Sequence, residues 1–196
     1  MPLDIVLLYG SYRRDRLGIR LAQFLLSRFE ARGDRPMLID AKAVGLPMLD
    51  RMYKEHAKGE APENMERAAE TIRTADAFVF IAGEYNNGVQ PGLKNLTDHF
   101  LEEWFWRPAA IACYSRGIFG GVRAMMNWRV TLAEMGMPTI SSIFPVGQIG
   151  QALDPEGMPT GDAGARLERN FVKFAEDLAW WAEAAKAQRA LKAPPY

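Results

Sequence analysis

Residues 3–18 read LDIVLLYGSYRRDRLG, and this stretch indicates the fold. Its first part, residues 3–9, is an almost unbroken apolar run, which is typical of a strand buried on both faces of a parallel sheet. Gly10 and Ser11 end the run, and residues 17–32 then repeat apolar side chains at helical spacing. A buried strand followed by an amphipathic helix is the first half of a βαβ unit.

The rest of the chain repeats this alternation of short apolar runs and longer segments with helical periodicity. The pattern predicts strands at residues 36–40, 76–82, 108–114 and 139–146, helices at residues 64–74, 91–100 and 122–135, and a last helix with Leu167, Phe171, Phe174, Leu178 and Trp181 along one face. Five strands and five helices in strict alternation predict an α/β protein with a doubly wound five-stranded parallel sheet. We expect residues 1–196 to form one domain.

One segment, residues 41–62, lacks this regularity because glycine and proline are scattered through it. We expect a long, partly exposed connection there. Since long loops are only sometimes functional, we expect this one to have no chemical role.

The charge balance excludes some partners. Lys plus Arg and Asp plus Glu both number 24, so no overall charge recruits nucleic acid or an anionic membrane surface. No apolar run approaches the ~20 residues that span a bilayer, and the N-terminus lacks a basic region followed by a cleavage motif. We therefore expect a cytoplasmic protein with neither nucleic acid nor membrane as partner.

Isolated cysteine and histidine residues offer no metal chemistry. The chain has one cysteine and two histidines, too few for a convincing metal site. Cys113 lies in a predicted strand, where we expect a small core residue. We expect His99 on a helix surface and His56 in a loop.

The loop after the first strand has the residues of an anion site. It reads GSYRRDRLG over residues 10–18 and leads into a helix, whose first N–H groups attract phosphate. Ser11 adds a hydroxyl donor, Arg13 and Arg16 add forked guanidinium donors, and Gly18 allows close approach. Neither GxxxxGK[ST] nor GxGxxG is present, which favours one phosphate over two or three. A solvated charge run before a capped helix is the alternative.

Two later loops follow strand ends that face the same edge of the sheet. Residues 83–88 (GEYNNG) and residues 115–121 (SRGIFGG) are dense in Gly, Ser, Asn and Arg. Ligands of doubly wound sheets bind beyond the carboxyl ends of the strands, so the three loops predict one composite pocket. Tyr85 with Asn86 and Asn87 suits a flat heteroaromatic ring. Ordinary glycine-rich turns are the alternative for both loops.

In this order and separation, GSYRRDRLGIRLA, EYNNGVQPGLKN and YSRGIFGGVRA resemble the NADPH-dependent FMN reductase family of flavodoxin-like proteins, which includes quinone, azo and chromate reductases. The resemblance covers nearly the whole chain. It implies a flavodoxin-like strand order 2-1-3-4-5, FMN as cofactor and NADPH or NADH as electron donor. It further implies hydride transfer through flavin N5 to quinones, similar small-molecule acceptors or free FMN, without a catalytic side chain, in a homodimer or a tetramer.

The resemblance also assigns site residues. Three groups are implied: Ser11, Arg13, Arg16, Gly18 and Ile19 on the FMN phosphate; backbone groups of Glu84, Tyr85 and Asn86 on the isoalloxazine; and Ser115 with Gly117 on the far side of the ring. The chain departs from the family pattern twice. Gly83 stands where relatives commonly have proline, and Pro91 comes one place later than in many of them.

Two other functions fit a flavodoxin-like chain. A flavodoxin-type electron carrier binds FMN but takes electrons from a protein; such carriers are usually acidic, and zero net charge argues against one. A phosphorylation-dependent receiver needs acidic residues at the end of the first strand, where Leu8, Tyr9 and Gly10 offer none.

The aromatic residues leave one question open. Trp104, Phe105 and Trp106 lie together before the fourth strand, and Trp180 and Trp181 lie near the end of the chain. So much aromatic area predicts either a subunit interface or ordinary core packing, and the sequence favours neither.

Overall fold

The computed structural model describes residues 1–196 and contains one five-stranded parallel sheet in the order β2-β1-β3-β4-β5. The strands are β1 (Asp4–Tyr9), β2 (Arg35–Asp40), β3 (Ala77–Gly83), β4 (Ala109–Tyr114) and β5 (Thr139–Val146). The doubly wound flavodoxin-like fold is thereby confirmed, and each predicted strand lies within one residue of its observed bounds.

The helices are α1 (Gly18–Ala31), α2 (Ala41–Val44), α3 (Glu63–Thr74), α4 (Pro91–Asp98), α5 (Val122–Glu134), α6 (Ile149–Ala152) and α7 (Gly161–Leu191). Single 3₁₀ turns occur at Tyr53–Glu55 and Glu102–Trp104. The prediction of five helices was wrong in number, since α2 and α6 were missed. Four residues are too few to show helical periodicity, and α2 depends on local capping: the Asp40 carboxylate accepts from the Lys42 N–H, and Gly45 ends the helix at φ 68°.

The two central strands explain the continuous apolar runs. Every residue of β3 and β4 is buried, because helices cover both faces of the sheet. One face packs against α1 and α7 in a cluster of 28 buried residues that includes Phe24, Phe144 and Phe171. The other packs against α3, α4 and α5 in a cluster of 24 that includes Phe80 and Trp128. Each such side chain contributes roughly 1.5–3 kcal/mol by leaving water.

Trp181 does not lie on the buried face of the last helix, and that expectation was wrong. Its exposed fraction is 44%, whereas Leu178 and Ala182 are fully buried. Leu178 and Ala182, four residues apart, lie on the face of the helix that packs on the sheet. Trp181 lies at the edge of that face. It lines a cavity with Trp106 and the C-terminal residues.

His99 is buried rather than placed on a helix surface. It follows the last residue of α4, and its Nδ1 lies 2.7 Å from the Asn95 carbonyl oxygen. The chain turns inward at this point, because Phe100 and Trp104 enter the core immediately afterwards. Helical spacing could not show this, since the helix ends one residue earlier.

The aromatic cluster before β4 divides between core and surface. The ring of Trp104 packs edge-on against Phe78 at 5.1 Å and is fully buried. Trp180 is 65% exposed on α7. Core packing therefore accounts for Trp104, while Trp180 is a surface residue of this chain. None of the helices combines the length and the apolar character that crossing a membrane requires.

Candidate functional site

The strand order brings three loops together at the carboxyl edge of the sheet. Because β1, β3 and β4 are neighbours, the loops after Tyr9, Gly83 and Tyr114 meet there. They enclose a cavity of about 180 Å³, and a larger one of about 460 Å³ adjoins it. Arg13 and Tyr85 line both cavities, so the two lie side by side, and we refer to the pair as the cleft.

The backbone of the first loop offers a row of unused donors. None of the N–H groups of residues 12–17 donates a hydrogen bond within the protein. The loop runs directly into α1, whose helix dipole adds partial positive charge. The exposed Arg13 side chain forms no ion pair. Backbone donors beside a free guanidinium fit a phosphate monoester, so these residues suit the phosphate of FMN.

Arg16 is already engaged by another part of the protein. Its Nη1 lies 2.7 Å from Oδ1 and 2.6 Å from Oδ2 of Asp40, at the end of β2. The guanidinium also lies over the Tyr9 ring, 5.5 Å from its centroid. Arg16 therefore holds the first loop against β2, and a phosphate would have to compete with Asp40 for it.

Gly18 and Ile19, which the sequence assigned to the phosphate, make their contacts with other residues of the protein. A Cβ on Gly18 would lie 2.2 Å from a ring carbon of Tyr114, so glycine is required by that aromatic ring. Ile19 packs against the core cluster of α1 and α7, and its N–H donates to the Arg16 carbonyl. The absence of a side chain at Gly18 thus makes room for the Tyr114 ring. Neither Gly18 nor Ile19 lines the cleft.

The second loop is a tight two-residue hairpin. The Tyr85 N–H donates to the Gly88 carbonyl and the Gly88 N–H donates back, both at 2.9 Å. Asn86 and Asn87 occupy the turn at φ 50° and 68°, which Asn tolerates better than most residues. The Glu84 N–H reaches the Tyr114 carbonyl at 3.4 Å. Of the three predicted ring contacts, only Asn86 therefore keeps an uncommitted N–H, although Glu84 and Tyr85 line the cleft.

Glu84 has a half-satisfied carboxylate in the small cavity. Its Oε1 accepts from Arg123 at 3.2 Å, while the buried Oε2 has no partner. The Arg123 guanidinium stacks on Phe119, 4.8 Å from the ring centroid. This contact ties the second loop to α5 and the third loop.

The third loop contributes less than the sequence indicated. Ser115 lines the small cavity, but its hydroxyl donates to the Gly117 carbonyl at 2.9 Å. Gly117 lines neither cavity, and a Cβ there would meet nothing within 4 Å. Among the ten predicted site residues, six line the cleft: Ser11, Arg13, Arg16, Glu84, Tyr85 and Ser115.

Several residues of the larger cavity were missed by sequence reasoning. Leu46 and Met48 come from the connection at residues 41–62, for which the sequence predicted no chemical role, and they line this cavity. Tyr12 adds an aromatic wall, and its hydroxyl donates to the Ala41 carbonyl at 2.7 Å. Two apolar residues in a glycine- and proline-rich segment gave no pattern from which this placement could be inferred.

A buried polar network lies beneath the cleft. Gln90 Nε2 donates to Tyr114 Oη at 3.1 Å and to the Ile81 carbonyl at 3.3 Å, and the Tyr9 hydroxyl donates to the Arg16 carbonyl at 3.3 Å. Burial raises the pKa of both Tyr9 and Tyr114. Both phenols therefore stay protonated at physiological pH and can support the loops without acting as bases.

Cys113 is expected to be chemically inert in the folded protein. Burial within β4 raises the pKa of its thiol to about 12, so almost no thiolate forms at pH 8. A maleimide or disulfide reagent should label it at pH 8 only after unfolding in guanidinium chloride. Rapid stoichiometric labelling of the native protein would contradict the placement of Cys113 in the core. That placement agrees with the sequence prediction of a small core residue.

Fold and cleft together define the class of this protein: a flavodoxin-like α/β protein with a cleft at the carboxyl edge of its sheet. FerB, a flavoenzyme NAD(P)H:(acceptor) oxidoreductase from Paracoccus denitrificans, superposes with a TM-score of 0.70 over 92% of this chain and 97% of its own, at 24% identity. That likeness shows the shared fold.

Residues 3–151 match the NADPH-dependent FMN reductase family, and the chain belongs to it. A quinone reductase of Pseudomonas putida is 29% identical over 181 residues, which cover 88% of this chain and 92% of that protein. An NAD(P)H-dependent FMN reductase of Schizosaccharomyces pombe is 36% identical over 137 residues, or 67% and 64% of the two chains. The protein is therefore an oxidoreductase of a flavoprotein family that uses FMN and NAD(P)H, as the resemblance implied.

Proposed function

We propose that this protein reduces quinones or similar small molecules with NAD(P)H, through FMN whose phosphate binds the loop at residues 11–17. The observation that carries the proposal is the row of unpaired N–H groups at residues 12–17 beside the unpaired Arg13 guanidinium. Quinone reductases among the relatives support this acceptor class. Relatives named NAD(P)H-dependent FMN reductases support free FMN as a further acceptor.

Each predicted binding residue has a proposed task. Ser11 and Arg13 hold the phosphate directly, with Arg16 shared between the phosphate and Asp40, and Gly18 and Ile19 fix the start of α1. Tyr85 and Asn86 are proposed to lie against the isoalloxazine beside Glu84, and Ser115 with Gly117 to close its far side. Of these residues, Glu84, Tyr85 and Ser115 line the small cavity. FMN held by these residues would supply the redox chemistry, namely hydride transfer through flavin N5 between NAD(P)H and the acceptor. The chain therefore needs no side-chain acid or base.

The setting of this activity is also proposed. We infer one domain acting in the cytoplasm as a homodimer or a tetramer, with exposed Trp180 and Trp181 on α7 as apolar surface available to a second subunit. A sedimentation experiment that finds only monomers at micromolar concentration would overturn the oligomer.

The absorbance spectrum of the purified protein with added FMN tests the function. After removal of free flavin, the retained yellow bands should bleach promptly on anaerobic addition of NADPH or NADH, and addition of a quinone should restore them. Retained flavin that neither nucleotide bleaches would support the electron carrier. No retained flavin at any protein concentration would contradict FMN as a bound cofactor.

A further inference from the structure

Two charged residues of the small cavity are already paired with residues that lie outside it. Arg16 pairs with Asp40 at 2.6 Å, and Glu84 pairs with Arg123 at 3.2 Å. Each pair is neutral as a whole, so the two pairs together supply little of the positive charge that a phosphate group needs. That charge must come from residues of the cavity that form no ion pair.

Three charged residues that line the small cavity form no ion pair: Arg13, Asp15 and Arg116. Arg13 and Asp15 both belong to the first loop and have opposite charges, which largely cancel at the distance of a ligand. A phosphate monoester carries close to two negative charges at pH 7. Arg116 therefore supplies the full positive charge that the first loop lacks.

Arg116 lines the small cavity from the third loop and is free to move into it. Its side chain is exposed and makes neither a hydrogen bond nor an ion pair with the protein. The guanidinium can thus turn into the cavity without breaking a contact, and its forked N–H groups match the oxygens of a phosphate. The hydroxyl of the neighbouring Ser115 is committed to the Gly117 carbonyl. Arg116 is therefore the side-chain donor that the third loop can offer to a ligand.

We propose that Arg116 binds the phosphate of FMN together with Arg13, so that the third loop as well as the first recognises this group. The inference rests on the proposed function, because it takes the phosphate to lie in the small cavity beside residues 11–17. Asp15 opposes the binding of the phosphate, since its carboxylate lines the same cavity. Arg116 offsets that opposition.

The affinities for FMN and riboflavin test the proposal, since riboflavin lacks only the phosphate. Fluorescence titrations at constant ionic strength give both dissociation constants for the wild type, Arg116→Ala and Asp15→Asn. Arg116→Ala should weaken FMN binding about 10-fold and change riboflavin binding by less than about 2-fold. Asp15→Asn should strengthen FMN binding about 3-fold, because it removes a like charge, and should leave riboflavin binding unchanged.

Arg14→Ala is the matched control for the loss of one positive charge. Arg14 is also exposed but lines neither cavity, so its removal should change FMN affinity by less than about 3-fold. The melting temperature of the Arg116→Ala apoprotein should equal that of the wild type, since the side chain has no partner to lose. A misfolded variant is thereby distinguished from one that lacks a phosphate contact.

The outcomes separate Arg116 from the proposed function. An FMN-to-riboflavin affinity ratio in Arg116→Ala equal to that of the wild type overturns the role of Arg116, and so does an equal loss of both ligands. A loss confined to the KM for NADPH, with NADH and FMN unaffected, also overturns it, because Arg116 would then bind the 2′-phosphate of the donor. An Asp15→Asn protein that gains no FMN affinity contradicts the charge balance behind the proposal. Equal affinity of the wild type for FMN and riboflavin overturns the proposed phosphate loop itself.

Discussion

Replacing Arg13 by alanine is expected to weaken FMN binding about 30-fold while leaving the affinity for riboflavin nearly unchanged. A hydrogen bond between a guanidinium and a phosphate is charge-assisted and contributes roughly 1.5–3 kcal/mol, which corresponds to about 10- to 100-fold in affinity. Arg13 forms no ion pair within the protein, unlike Arg16, which is paired with Asp40. No existing ion pair must therefore break before Arg13 binds the phosphate. Flavin fluorescence titrations at constant ionic strength measure both affinities.

Riboflavin is the sharp control for this prediction because it lacks only the phosphate. Arg14→Ala serves as the matched variant, since Arg14 is also exposed in the same loop but lines neither cavity. We expect Arg14→Ala to change FMN affinity by less than about 3-fold, as is usual for an exposed charge. An equal loss of FMN and riboflavin in Arg13→Ala would indicate a packing role. No loss of either would place the phosphate elsewhere.

Gly10→Ala should cost about 3 kcal/mol of folding stability, or more if the sheet edge cannot relax. A Cβ at this position would lie 2.2 Å from the Leu93 backbone nitrogen and 2.3 Å from its Cα. Backbone cannot rotate away as a flexible side chain can, so α4 would have to move off the end of β1. Such a shift would also separate the first and second loops. Thermal unfolding of the apoprotein should show a melting temperature lower by roughly 6–12 °C.

Gly117→Ala is the matched control for the clash. Gly117 lies in the third loop, where an added Cβ meets no atom within 4 Å. We expect its stability to stay within about 0.5 kcal/mol of the wild type. A Gly10→Ala protein as stable as the wild type would mean that α4 does not touch the end of β1 as described. If both variants lose stability equally, loss of glycine flexibility rather than contact with α4 is the cause.

The local patterns of the sequence sufficed for most of the sheet. Residues 3–9 and 77–83 were recognised as strands, within one residue of their bounds, because apolar runs of strand length that end at glycine have few other interpretations. The short helices α2 and α6 were missed, since a single turn carries no periodicity and depends on caps that nearby residues supply.

The site was predictable in part. Its first loop could be recognised because a helix start with arginines is a local feature. The residues that Arg16 and Gly18 contact could not be predicted, since Asp40 lies 24 residues beyond Arg16 and Tyr114 lies 96 residues beyond Gly18. Nothing in a single sequence states which of several arginines will find a carboxylate on a neighbouring strand.

By itself, the sequence determined the doubly wound fold, the position of the proposed phosphate loop and the family to which the chain belongs. Each of these rests on contiguous residues, whose spacing and chemistry are fixed along the chain. Only the tertiary structure decided which loop residues stay free for a ligand, which are taken by the protein, and that Leu46, Met48 and Gln90 line the cleft. Burial and pairing depend on groups that are distant in sequence, and they become definite only once the sheet has assembled.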